Sequence, residues 1–209
     1  MPTYEMMSGP QAMMRLEPHV NAEVETELLA GEILTVTGRL GDWYQVEKDF
    51  GGIIYAGYVP CGDLADVLYQ PTHMVARLSS PILSFPGLKG VVRGHITLGG
   101  LVKVIDERDN HVRVFPYGWL YKRDIVSLTD TRPDYVDVLQ TLLGVSFVWG
   151  GRSAFGVDCS GMAHLALTVA GIDAPRRLKH MTTSFGTVLP ASEPPRRAGP
   201  FSSAVAAWA

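Results

Sequence analysis

The chain has 209 residues, 46% of them hydrophobic, with 18 Lys and Arg against 21 Asp and Glu and a formal net charge of −3. That is enough apolar material for one to three small domains, and the near-balanced charge, without a long block of one sign, argues against nucleic-acid or anionic-membrane partners. No window approaches the roughly 18 apolar residues of a membrane span, and the start, MPTYEMMSGPQAMMRLEPH, lacks the basic head and apolar run of an export signal, so a cytoplasmic location is expected. Cys61 and Cys159 lie far apart and form neither a metal-binding spacing nor a disulfide framework. Two free thiols and no metal or cofactor are expected.

Residues 1–14 read as an N-terminal extension. Between residues 30 and 126, short β-rich runs are broken by Gly, Asp and Asn, and their order repeats. GEILTVTGRLGDWYQVEKD gives strand, Gly-Asp turn and strand, followed by AGYVPCGDL; LGGLVKVIDERDNHVRVF gives strand, Asp-Asn turn and strand, followed by YGWLYKRDI. Ile33, Thr35 and Thr37 alternate with Leu34 and Val36, as half-buried strands joined by tight turns require. Each copy therefore reads as a small β-barrel, over residues 15–69 and 70–129, with Trp43, Tyr58 and Trp119 as core or rim aromatics. Gly57-Tyr58-Val59 and Gly118-Trp119-Leu120, each followed by an Asp and an aliphatic residue, resemble the closing strand of bacterial SH3-like (SH3b) domains.

From residue 130 the pattern turns helical. Asp130 or Thr131 offers an N-cap, Pro133 suits a first turn, and Val136, Leu139, Leu142 and Leu143 recur at helical spacing until Gly144, which predicts a helix over 132–143. After the Gly-rich loop VSFVWGGRSAFGVD, a second and largely apolar helix is predicted from Cys159 to about Ala170, ended by Gly171. A cysteine in the first turn of a helix sits by unpaired backbone N–H groups and the positive end of the helix dipole, which favour thiolate over thiol. Position alone leaves two readings open, a nucleophile and a small structural residue.

The run VWGGRSAFGVDCSGMAHLAL, residues 148–167, resembles the signature of the NlpC-type cell-wall peptidases, papain-like cysteine hydrolases. The resemblance implies Cys159 as nucleophile, Asp158 and Ser160 as binders of the substrate's free amine, and Trp149, Gly150 and Gly151 as shapers of the cleft. It implies a murein peptide as the partner, cut at the bond between γ-D-glutamate and a diamino acid. Asp158 is equally suited to cap the helix.

Three departures stand beside it. Phe147 replaces a tyrosine whose hydroxyl would serve the oxyanion, a loss worth ~10²–10³ in rate. The downstream histidine of the family has no counterpart: His164 lies about 500° around the helix and about 7.5 Å along it from Cys159, pointing away, and His180 sits in PRRLKHMTTSF, on a segment of undetermined direction. Beyond Pro175 the likeness stops at Arg177, and residues 186–209, rich in Pro, Ala, Ser and Arg, read as a disordered tail.

The expected fold class is therefore α+β: two small SH3-like barrels followed by the helical N-terminal half of a papain-like peptidase domain, residues 130–209, cut short before its sheet. A helix 159–170 without that sheet would leave a face uncovered and the C-terminal third loose or sticky. The expected function is a cysteine peptidase of peptidoglycan-derived peptides; the alternative is a catalytically incomplete fragment acting at most as a murein-peptide binding module. A redox-sensing thiol has no resolving cysteine nearby to support it.

Overall fold

The computed structural model describes residues 3–66 and 68–184. The first 65 residues supply β1 (Thr3–Met7), β2 (Gln11–Arg15), β3 (Val24–Leu29), β4 (Ile33–Leu40), β5 (Trp43–Phe50), β6 (Ile53–Pro60) and β7 (Leu64–Ala65). These make one antiparallel sheet in the order β3-β2-β6-β5-β4-β1-β7. Then follow β8 (His73–Val75), β9 (Ser79–Leu83), β10 (Val92–Thr97), β11 (Leu101–Arg108), β12 (His111–Phe115), β13 (Gly118–Tyr121) and β14 (Ile125–Ser127), in the order β10-β9-β13-β12-β11-β8-β14. The second order is the first with seven added to every number, so the repeat read in the sequence holds strand for strand.

Turn chemistry sets this register. Leu40 faces Trp43 across Gly41-Asp42, and Arg108 faces His111 across Asp109-Asn110; Gly41 and Asp109 both take the left-handed conformation that a two-residue hairpin needs. Alternation then sends Leu34 and Val46 inward with Met7, Met14, Leu28 and Val59, while the second sheet buries Ile82, Ile96, Val102, Val112, Val114 and Leu120. Residues 3–14, expected as an extension, supply β1 and most of β2.

The expected fold class is corrected on two counts. Among the described residues neither sheet closes into a barrel: β3 and β7 end the first sheet, β10 and β14 the second. The outer edge of β3 is taken instead by the later chain, where Glu27 N–H donates to Gly150 O at 2.7 Å and the Arg152 guanidinium donates to Glu27 O at 2.7 Å. Nor is the remainder a helix-rich half-domain. Its described residues hold three short helices, α1 (Tyr135–Thr141), α2 (Cys159–Val169) and α3 (Leu178–Ser184), and a two-stranded ribbon of β15 (Arg152–Ser153) and β16 (Gly156–Val157).

Helix α1 starts later than the spacing predicts, because Asp134, just after Pro133, is the cap whose carboxylate accepts Val136 N–H at 2.7 Å. Helix α2 starts at Cys159 as read, and Gly171, with a positive φ, follows its end.

Besides the core of each sheet, a third core joins both sheets to the helices. Leu101 N–H donates to Ala30 O at 2.8 Å, joining the sheets. In the angle between them, Leu29, Met74 and Leu98 pack with Tyr135, Val138 and Leu142 of α1 and with Leu165, Ala166, Leu167 and Val169 of α2. The apolar face of α2 is thus covered by the sheets and by α1, and the uncovered helix anticipated from the sequence is not found. Exposed apolar groups gather on the preceding loop instead, at Leu143, Phe147, Trp149 and Phe155. No helix among the described residues is long and apolar enough to cross a membrane. The tail 186–209 lies outside the described residues.

Candidate active site

Cys159 opens α2 and is exposed, with a free thiol. The residue before it, Asp158, has extended backbone and caps the helix: its Oδ1 accepts Gly161 N–H at 2.6 Å while its carbonyl accepts Met162 N–H at 2.9 Å. Oδ2 accepts Gly150 N–H at 2.9 Å, which ties the glycine loop to the helix start. Gly150 has a positive φ, and a Cβ there would lie 2.4 Å from Val24 Cγ1, so loop and β3 approach as only glycine permits. A Cβ on Gly161 would lie 2.1 Å from Gly151 O, so the first turn of α2 presses directly on the loop backbone.

Arg176, fully buried, completes the arrangement. Its Nη1 donates to Asp158 Oδ1 at 3.0 Å and to Ser160 Oγ at 2.9 Å, its Nη2 to Asp158 Oδ2 at 2.8 Å and Gly151 O at 3.3 Å, and its Nε to Thr26 Oγ1 on β3 at 2.8 Å. Ser160 Oγ also donates to Asp158 Oδ1 at 3.2 Å. Asp158 therefore receives five donors, more than the four lone-pair directions a carboxylate offers. Burial alone would raise its pKa, but the hydrogen bonds and charge of Arg176, with the Gly161 and Gly150 amides, hold it below the ordinary carboxylate range. The structure thus brings Cys159, Asp158 and Ser160 together at one helix start, with Asp158 and Ser160 buried and engaged and Cys159 open to solvent.

Behind the helix lies a second buried ion pair. Arg152 sits on the β3 edge, paired with Glu32, and its backbone N–H donates to Glu27 Oε2 at 2.7 Å. Burial raises the Glu27 carboxyl despite these contacts. His164 is buried on the opposite side of α2 from solvent, its ring edge-on to Phe50 with centroids 4.9 Å apart and its Nδ1 3.4 Å from Arg152 Nη1. Burial, and then the charges of Arg152, Arg176 and Lys48, hold it well below the usual histidine value. His180, on α3, has Nδ1 2.9 Å from Tyr55 Oη. That same oxygen accepts the backbone N–H groups of Arg176 and Arg177 at 3.1 and 3.2 Å, so the first sheet fixes the segment that carries Arg176. Phe147 is 68% exposed and Trp149 59% exposed, on the loop face beside the site.

Sequence reasoning missed Arg176, Arg152, Glu27, Glu32 and Tyr55. The signal available was charge alone: Arg176 follows Pro175 only 17 residues after Cys159, but nothing local marks it as the partner of Asp158.

No protein-family model matches the chain. It is 26% identical over 168 residues to a gamma-D-glutamyl-L-lysine dipeptidyl-peptidase of Bacillus subtilis, covering 73% of this chain and 55% of that protein. It is 27% identical over 178 residues to the protein of the same name from Bacillus cereus, covering 74% and 53%. The chain spans about half the length of these curated relatives. Among solved structures it resembles an NlpC/P60 family protein from Bacillus cereus with a TM-score of 0.75 at 21% identity, over 90% of this chain and 79% of that one. The fold is therefore NlpC/P60-like.

Proposed function

We propose that this chain carries the nucleophilic part of a cysteine peptidase acting on peptidoglycan-derived peptides at a γ-D-glutamyl–diamino acid bond. The observation that carries the reading is an exposed cysteine at the first position of an 11-residue helix whose capping carboxylate is fixed by a buried arginine. The names of the two Bacillus relatives supply the substrate class. In this reading the Cys159 thiolate attacks the γ-carbonyl carbon, the C–N bond breaks, and the amine leaves with a proton. Water then hydrolyses the thioester and restores the thiol. Gly150 and Gly151 let the loop beside Cys159 pack tightly against Val24 and Gly156, which holds that loop against the start of α2. Asp158 and Ser160 are proposed to meet the free amine of the peptide by exchange with one of the donors they already hold, a charge-assisted contact.

A second reading, a peptide-binding module without turnover, is favoured by two features: His164 is buried behind α2 against Phe50 and Arg152, and Phe147 offers no hydroxyl to an oxyanion.

Incubation with the peptide L-Ala-γ-D-Glu-L-Lys, followed by mass spectrometry of released lysine and by calorimetry, separates the two. Release that disappears in Cys159→Ala, with N-acetylation of the peptide weakening binding about tenfold or more, supports the peptidase. Equal binding by wild type and Cys159→Ala without release supports the module. No binding by either overturns both.

A further inference from the structure

The strand-for-strand repeat makes β10 the counterpart of β3. Each is the end strand of its sheet, and each pairs with the strand before it in antiparallel register. The register shifts at the same place in both: Val24 and Thr26 face consecutive residues of β2, and Val92 and Gly94 face consecutive residues of β9. The bulged residues are thus Glu25 and Arg93, and two positions on, Glu27 faces Met13 as His95 faces Pro81.

What the β3 edge does is visible. Glu27 N–H donates to the carbonyl of Gly150, Glu27 O accepts from the Arg152 guanidinium, and Glu25 is ion-paired with Arg177. The acidic β3 edge thus holds the turn at Gly150 and two arginines, Arg152 and Arg177, from separate segments. At the equivalent positions β10 has a cation, Arg93, and a histidine, His95, with Lys89 in the loop before it and no Asp or Glu between residues 84 and 97. Val92, Arg93 and His95 are exposed. Beside Gly94 a Cβ would meet nothing within 4 Å. The adjoining loop exposes Phe85, Leu88 and Val91, with Leu88 96% exposed.

We propose that the outer edge of β10 is a docking site for an extended segment of another protein that adds as a strand, with acidic side chains at alternate positions facing Arg93 and His95 and apolar ones between them facing Val92 and Leu88. Main-chain hydrogen bonds would give such a strand its affinity and the charges its selectivity. Edge-to-edge pairing of two copies of this chain is disfavoured, because it would bring Arg93 of one copy close to Arg93 of the other. The proposal does not depend on Cys159 chemistry.

The test uses the full chain and a fluorescein-labelled peptide, Glu-Val-Glu-Val-Glu-Thr, with two controls: the same peptide with Lys for Glu, and one N-methylated at alternate residues to remove ladder N–H groups. Saturable anisotropy at low salt is expected, weakened at least tenfold by Arg93→Glu, by Leu88→Ser, by N-methylation and by the lysine exchange, with amide exchange slowed in residues 92–95. Arg93 and Leu88 are both exposed, so neither variant should threaten folding. Binding unchanged by Arg93→Glu, preference for the lysine peptide, or no binding overturns the proposal. So does association only with phosphatidylglycerol vesicles, which would assign the same residues to a lipid surface.

Discussion

Replacing Arg176 with Met removes a guanidinium that no solvent reaches and leaves the buried Asp158 carboxylate with two backbone donors, Gly150 and Gly161 N–H, and the Ser160 hydroxyl. Breaking a buried ion pair from one side costs ~3–5 kcal/mol, and the remaining donors place this case towards the lower end. Against a total stability of about 5–15 kcal/mol, that is a large fraction, equivalent to roughly 6–20 °C in Tm for a chain of this size. The loss has a pH signature. Asp158 has its pKa lowered in the fold, so its contribution is complete above the ordinary value of 3.8 and disappears as pH falls through the lower folded value. Urea unfolding of wild type, Arg176→Met, Asp158→Asn and the double variant at neutral pH and at successively lower pH measures both. The single variants should each lose more than the coupling allows to add, the double variant should recover part of the sum, and the gap between wild type and Arg176→Met should narrow on acidification. A loss under about 1 kcal/mol at neutral pH, or one indifferent to acid, would refute the claim that this pair fixes the start of α2.

Two further outcomes follow from the same interface. His164 is kept neutral by burial and by Arg152, Arg176 and Lys48, while in the unfolded chain it takes a proton near 6.5. Stability should therefore fall as pH drops below 6.5, by up to about 1.4 kcal/mol per pH unit, and urea melts of His164→Gln should lack that slope. Gly51 and Gly52 both have positive φ, but a Cβ on Gly51 would lie 2.4 Å from Ala174 C, whereas one on Gly52 meets open space. Thermal melting should show Gly51→Ala losing clearly more than the ~1–3 kcal/mol of backbone strain common to both; equal losses would mean that the turn does not press on the segment holding Arg176.

What could be read in the sequence was local. Two-residue turns at Gly41 and Asp109 fix hairpins whose strands alternate, so the repeat was legible, as were the start of α2 at Cys159 and its end before Gly171. Strands β1 and β2 escaped because TYEMM and QAMMR carry no clear alternation of large apolar and polar residues. Closure of the sheets could not be judged either, since whether an edge strand finds a partner depends on residues far along the chain. Arg152 with Glu32 is a contact across 120 residues and Arg176 with Thr26 across 150. Only the fold, which buries both arginines, brings them to these partners.

The open edge of β3 and the candidate site have one physical origin. A sheet that closed on itself would satisfy the outward N–H and C=O of Glu27 internally, and the loop 150–152 would lose its anchor on β3. Left open, that edge binds Gly150 and Arg152, and Thr26 on the same strand binds Arg176. Two clamps then act on the stretch around Cys159: Gly150 is held by β3 through its carbonyl and by Asp158 through its N–H, and Asp158 is held by Arg176. The thiol needs no contact of its own to be fixed in place, because the residues before and after it are pinned. Positional precision at an exposed cysteine is thus produced by burial of its neighbours against the first sheet.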